Sequence, residues 1–297
     1  MPNFEKMRDQ MKQGAGFIAA LDQSGGSTPK ALALYGVDAN NYPNETAMFA
    51  EIQKMRARII SAPDFTNAKV IGAILFEKTL HEDIDGQSVP EYLWAQRGIV
   101  PFLKIDKGLQ DETDGVQLLN PIPNLGSMLA EAKALGVFGT KARSVINAAN
   151  VNGIEKIVAN QFEIAHEVIA KGMVPIIEPE IDIHSTSKAE AETLLAAALL
   201  TQLQKLQDGQ DVMLKVTLPE VPGIYDALAD HPRVLRVVAL SGGYSMSDAS
   251  ARLAQNHKII ASFSRALTQG LQRDMSDAEF AAALGSNIDV IHRASVA

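Results

Sequence analysis

The sequence predicts an α/β fold, a closed (β/α)8 TIM barrel, and three observations carry that prediction. Eight short apolar runs recur along the chain, helical segments with readable ends lie between them, and no linker interrupts the alternation. Continuous apolar runs suit parallel strands covered on both faces. Regular alternation of strand and helix is what a parallel sheet requires. Eight such units close into a barrel, with a doubly wound sheet as the competing arrangement. The expectation is one domain over residues 1–297, a barrel with helical extensions at its N- and C-terminal ends.

In chain order the strand runs are GFIAALD (16–22), KVIGAILF (69–76), IVPFLKID (99–106) and GVFGTKAR (136–143). MVPIIEPE (173–180), DVMLKVTL (211–218), RVLRVVAL (233–240) and KIIASFSR (258–265) complete the eight. The helix ends are local and physical. Ser127 is the predicted N-cap of SMLAEAKAL, which Gly136 stops; the next helix runs from Asn152, with Glu155 three residues on, to Gly172. Ser187 with Glu190 opens a helix ending at Asp208 and Gly209, and Ser276 with Glu279 opens one stopped by Gly285.

Composition excludes several classes. A formal charge of -8 argues against broad binding to nucleic acid or an anionic membrane, so any phosphate site must be local. With no Cys there is no disulfide and no thiolate metal site, and the charged N-terminus lacks the apolar core of a signal segment, which makes a cytoplasmic location the expectation. The most apolar helical stretch, LLAAALL (194–200), is far shorter than the about 20 residues a bilayer needs and reads as a core helix. The six histidines form no HxH or HExxH pattern and no GxSxG elbow occurs, so neither a metal centre nor a serine nucleophile is expected.

In a barrel the functional groups lie at the C-terminal strand ends. That rule collects Asp22, Lys104 with Asp106 and Lys107, Lys141 with Arg143, Glu178 with Glu180, Lys215, Ser241 and Arg265. Lys215 is the most telling, because DVMLKVTL is otherwise an apolar strand. A buried ammonium there must be paired, drawn to the strand end, or neutralised. Alone, it reads as a snorkelling strand-end lysine. With a free-amine pKa of about 10.4, it attacks a carbonyl near neutrality only where desolvation or a neighbouring cation assists. Lys141 is a candidate neighbour, and Glu178 a candidate proton carrier for dehydration of a carbinolamine. ALSGGYS (239–245) runs from a strand directly into Ser-Gly-Gly, and SFSRAL follows one strand later with Arg265 before a predicted helix, the place where many barrels hold phosphate. DQSGGSTPK (22–30) is a second such turn, and two cradles flanking a lysine indicate a bisphosphorylated carbonyl substrate.

These segments together resemble one family over nearly the whole chain: class I, Schiff-base-forming fructose-1,6-bisphosphate aldolase, in its short bacterial form. AALDQSGGSTPK resembles the AADES-type segment, which matches Asp22 to the catalytic aspartate and Ser24 and Ser27 to ligands of the sugar 6-phosphate. FLKIDKG resembles GIKVDKG and places Lys104 in the site, while GTKARSV matches Lys141 to the second active-site lysine and Arg143 to the nearby arginine. PIIEPEI makes Glu178 the acid/base carboxylate and MLKVTLP makes Lys215 the imine-forming lysine. LSGGYS and SFSRAL assign Ser241, Gly242 and Arg265 to the 1-phosphate, and Gly243, Ser264, Lys104 and Arg143 join the phosphate-binding set. The departures are Ala142 for a tryptophan, Gln23 for a glutamate, Ala31 for an arginine and Ser264 for a glycine. The resemblance implies reversible cleavage of fructose 1,6-bisphosphate to dihydroxyacetone phosphate and glyceraldehyde 3-phosphate through a Lys215 imine, in glycolysis and gluconeogenesis. It implies no cofactor, a phosphosugar as the small-molecule partner, no nucleic acid, no membrane, and leaves a homo-oligomer open. Two rivals stand beside it: a Schiff-base barrel aldolase for a shorter or singly phosphorylated sugar, and a phosphosugar-binding or adhesion protein on the same scaffold.

Overall fold

The computed structural model describes residues 2–297. Each of the eight apolar runs is a strand. They are β1 Phe17–Leu21, β2 Val70–Leu75, β3 Val100–Lys104, β4 Gly139–Ile146, β5 Val174–Ile181, β6 Val212–Thr217, β7 Val234–Leu240 and β8 Ile259–Ala261. Each pairs in parallel with the next in chain order, which removes the doubly wound alternative. The seam is thin: the Ala20 N–H donates to the Phe263 carbonyl at 3.2 Å, bringing β1 against the chain leaving β8.

The strands are buried on both sides, so the two-residue period was hidden in uniformly apolar sequence. Ile18, Ile74, Val100, Phe102, Val174, Ile176, Met213, Val238 and Ile260 pack inside the barrel, joined by Met7 and Met11 of helix α1, Pro2–Gln13. Their alternates, among them Ala19, Leu103, Ile177, Leu214 and Val237, pack outward beneath the helices. Helix α1 therefore lies across the N-terminal mouth and seals it. The Arg236 guanidinium secures it by donating to the carbonyls of Met11 at 2.9 Å and Gly14 at 3.1 Å.

The layer outside the strands holds α2 Ser27–Leu34, α3 Glu45–Ser61, α4 Val89–Arg97, α5 Leu125–Ala134, α6 Val151–Ala170, α7 Lys188–Leu203, α8 Asp226–Ala229 and α9 Met246–Leu253, with α10 Asp277–Ser295 after the last strand. No helix among the described residues is long and apolar enough to cross a membrane.

Several predicted helix ends move. Helix α5 starts two residues before Ser127, whose hydroxyl instead bonds back to the Asn124 carbonyl at 2.9 Å. Helix α6 is capped by Asn150, which accepts from the Gly153 N–H at 2.9 Å, so Asn152 lies inside the first turn. Ser187 precedes α7 without capping it, because its hydroxyl is spent on the Ala149 N–H, and α7 ends at Leu203 rather than Asp208. The Ser276–Glu279 capping box forms as predicted, but Gly285 does not stop α10. That glycine is a contact: a Cβ there would stand 2.4 Å from Asp64 Oδ2. Arg265 is followed by successive turns rather than by a helix, so no helix N-terminus backs it.

Candidate active site

The inward parity of Met213 carries Lys215 inward two residues later, and the same rule turns Glu178 inward after Ile176 and Lys104 after Phe102. Register then levels these groups. Lys104 pairs with Lys141, Arg143 with Glu178, and the Ile176–Met213 pairing extended by two residues sets Glu178 beside Lys215.

The result is one ion cluster at the C-terminal mouth. Lys141 Nζ lies 2.6 Å from Asp22 Oδ2, 3.0 Å from Glu178 Oε2 and 3.9 Å from Asp106 Oδ2. Lys215 Nζ lies 2.9 Å from Glu178 Oε1. Of the three fates open to a charged strand residue, the structure selects pairing. Lys141, Lys215 and Glu178 are each at least 95% buried, so their attraction is little screened by solvent. Oε2 of Glu178 has no hydrogen-bond donor among the described residues; its contact with Lys141 is one of charge without bond alignment.

Burial disfavours ionisation throughout the cluster, and the opposite charges overcome it. Asp22 is held at about 2 because Lys141, Lys215 and Lys104 outweigh its desolvation. Glu178 is likewise depressed, with Lys141 and Lys215 outweighing burial. Asp22, Glu178 and Asp106 outweigh desolvation at Lys141 and hold it far above the usual lysine range, a fixed cation. Arg143 is raised by Glu180, to which its Nε donates.

Above the cluster opens a cavity of about 610 Å³. Its lining includes Asp22, Ser24, Ser27, Lys104, Lys141, Arg143, Glu178, Lys215, Ser241, Gly242, Ser264 and Arg265; Gly243, next in chain to Gly242, is outside the lining, and so is the strand-end Lys107, which pairs with Glu77. Gly242 and Gly243 have φ of 62° and 130°, and a Cβ at Gly242 would meet Ile183 at 2.6 Å, so the turn after β7 needs glycine. Arg265 reaches towards this turn, its Nη2 3.6 Å from where a Gly243 Cβ would be, and it forms no ion pair among the described residues. At the other wall the Ser27 hydroxyl accepts from the Ser24 N–H at 3.0 Å and donates to the Ser24 carbonyl, closing its own turn.

Sequence reasoning underrated three groups. Asp106 was collected as a strand-end residue without a role, yet it binds Lys104 at 2.6 Å and accepts the Arg143 N–H at 3.2 Å. Gln23 stood only as a departure, yet its side chain donates to the Ser264 hydroxyl at 2.8 Å. Arg56 gave no signal at all, being one basic residue among several in QKMRAR.

The family model for class-I fructose-bisphosphate aldolase matches residues 4–224. A class 1 fructose-bisphosphate aldolase of Synechocystis is 54% identical over 295 residues, covering 99% of this chain and 98% of the relative. One from Porphyromonas gingivalis is 52% identical over 287 residues, covering 97% of each. The solved fructose-bisphosphate aldolase of Plasmodium falciparum shares the fold, with a TM-score of 0.78 at 20% identity over 99% of this chain and 94% of that one. With a family match across most of its length and relatives above half identity from end to end, the chain belongs to the class-I fructose-bisphosphate aldolases.

Proposed function

We propose that the chain cleaves fructose 1,6-bisphosphate reversibly into dihydroxyacetone phosphate and glyceraldehyde 3-phosphate through an imine on Lys215. The observation that carries the residue assignment is the pairing of Lys215 with one oxygen of a buried carboxylate, Glu178, whose other oxygen faces the fixed cation Lys141. Attack on the C2 ketone requires Lys215 to shed a proton, and Glu178 at 2.9 Å is the acceptor at hand. Glu178 returns that proton to the carbinolamine hydroxyl, which leaves as water. The iminium then draws electrons as the C3–C4 bond breaks, and the C4 hydroxyl proton passes to Asp22. A carboxylate held near 2 is a weak base. The transfer succeeds because electron flow into the iminium makes the C4 oxygen a nascent protonated aldehyde, a far stronger acid than an alcohol. Reprotonation of the enamine at C3 and addition of water release dihydroxyacetone phosphate and restore the amine.

The 1-phosphate fits the Ser241, Gly242 and Gly243 turn with Arg265 and Ser264. The 6-phosphate fits the Ser24 and Ser27 turn, with Lys104 and Arg143 completing the cationic lining. Two cationic ends around one amine favour a bisphosphate over a singly phosphorylated sugar.

Borohydride added with dihydroxyacetone phosphate tests the reading. Reduction should leave a stable secondary amine on the peptide containing Lys215 and abolish activity. Glu178→Ala should still bind the phosphosugar but form the trapped imine about 10²-fold or more slowly, the scale of a lost proton carrier. A modification mapping to Lys141 would overturn the assignment.

A further inference from the structure

Arg56 heads the fully buried side chains in size, at 1% exposed, yet it bonds only neutral oxygens. Its Nη1 donates to Gln53 Oε1 at 3.2 Å and Thr79 Oγ1 at 3.1 Å, and its Nη2 to the Gln23 carbonyl and, at 3.5 Å, to Gln23 Oε1. Burial pulls it down to about 10, partly offset by the field of Asp22, so near neutrality it remains a cation. A buried charge without a carboxylate partner is a costly arrangement for joining a helix to a turn. Where it holds the chain suggests what offsets that cost. Gln23 follows Asp22 directly, and its amide donates to the hydroxyl of Ser264, which precedes Arg265. These two segments meet at the barrel seam, where the Ala20–Phe263 hydrogen bond is 3.2 Å long.

We infer that Arg56 is a positioning residue: by holding the Gln23 carbonyl, and through Gln23 the Ser264 hydroxyl, it sets Asp22 and the Arg265 segment relative to each other across the barrel seam. Of the residues lining the active-site cavity it hydrogen-bonds Gln23 alone, and it acts on the bond-breaking step through Asp22, so the inference rests on the proposed role of Asp22. Lys215 and Glu178 stand on β6 and β5, away from the seam, and meet Asp22 through their shared cation Lys141.

The fold supplies its own test. Behind Arg56 lies a second cavity of about 320 Å³, lined also by Gln53, Lys54, Thr79, Glu82 and Asp83, and Gln53 Nε2 and Arg56 Nε have no partner among the described residues. Truncating Arg56 joins its vacated space to this cavity and admits a free guanidinium ion. Arg56→Gln and Arg56→Ala should lower kcat for fructose 1,6-bisphosphate cleavage about 10- to 100-fold, the scale of a small misplacement of a reacting group. Borohydride trapping at saturating dihydroxyacetone phosphate, which needs Lys215 but not Asp22, should stay at the wild-type level, with only the concentration needed for saturation raised through the Arg265 segment. Arg56→Lys, or Arg56→Ala in millimolar guanidinium chloride, should recover part of the loss. Unchanged kcat, trapping that falls in step with kcat, or no recovery by either route would overturn the inference. Should the Arg56 variants not fold, Gln23→Ala decides, because it cuts the link to Ser264 and the long contact to Oε1 while leaving the carbonyl that Arg56 holds: a raised KM and lowered kcat support the inference, and wild-type values overturn it. Absence of trapping in the wild type would strike the imine proposal alone, since the Arg56 effect is read as a ratio of cleavage rates.

Discussion

At the N-terminal mouth of the barrel Arg8 pairs with Asp211 at 2.6 Å and Arg236 donates to two carbonyls of the chain leaving α1. At the C-terminal mouth Lys141 is shared among Asp22, Glu178 and Asp106, and Glu178 is itself shared between two lysines. The same strands and the same two-residue alternation build both ends. At the sealed end Asp211 faces Arg8 at 2.6 Å and Arg233 at 3.9 Å, and the interior beside them is filled by Met7 and Met11. At the open end one lysine is spread over three carboxylates, one carboxylate over two lysines, and about 610 Å³ lies above. Sealing leaves no room for a reactant, and sharing lets a proton or a substrate oxygen replace a partner without leaving a charge alone. The contrast explains why barrel chemistry gathers at one mouth.

The largest effect that would break this contrast is at Lys215. Lys215→Met keeps the stem and should fold, but kcat should fall by about 10⁴-fold or more, as when a covalent nucleophile is removed. Substantial residual turnover, measured against unchanged circular dichroism, would return Lys215 to the status of a structural strand-end lysine. Next in size is Arg265→Ala. A charge-assisted hydrogen bond to phosphate is worth about 1.5–3 kcal/mol, so KM should rise about 10- to 100-fold. Binding of dihydroxyacetone phosphate should weaken in parallel; a change confined to glyceraldehyde 3-phosphate would exchange the two phosphate assignments.

Acid sharpens the comparison through stability. Asp22 has a folded pKa of about 2, below its ordinary 3.8, so its contribution is present above 3.8 and is lost as pH falls towards 2. About 2 kcal/mol is at stake by that linkage, and Glu178 shifts in the same direction. Urea midpoints between pH 5 and pH 2 should therefore drop steeply in the wild type and less steeply in Asp22→Asn. The smallest effect belongs to the sealed end. Arg8→Ala removes a partly exposed ion pair and should cost about 1 kcal/mol in urea unfolding with kcat unchanged. A loss of kcat there would show that the two mouths are coupled.

Much of this is legible in the chain itself. The eight strands and their order follow from apolar runs and punctuation, and Lys215, Glu178, Lys141 and Asp22 stand out as polar groups late in buried strands, each with an ordinary strand-end or ion-pair reading until the family resemblance gives it a role. Those are local facts: a strand run, a capping box at Ser276 and Glu279, a Gly-Gly turn after a strand. Local rules also misplace what neighbours in space decide. Ser187 is a good cap by type, but Ala149 claims its hydroxyl, and Gly285 reads as a stop although it yields room to Asp64. The partnership of Glu178 with both lysines required the register of β4, β5 and β6, and the junction of Gln23 with Ser264, 241 residues apart, required the barrel to close. The chain alone fixes the strand runs and the polar groups at their ends, because apolar patterning is written residue by residue. Which charge answers which, and that Arg56 stands behind the seam, follow from the folded chain, because pairing energies depend on distances between segments that share no local sequence.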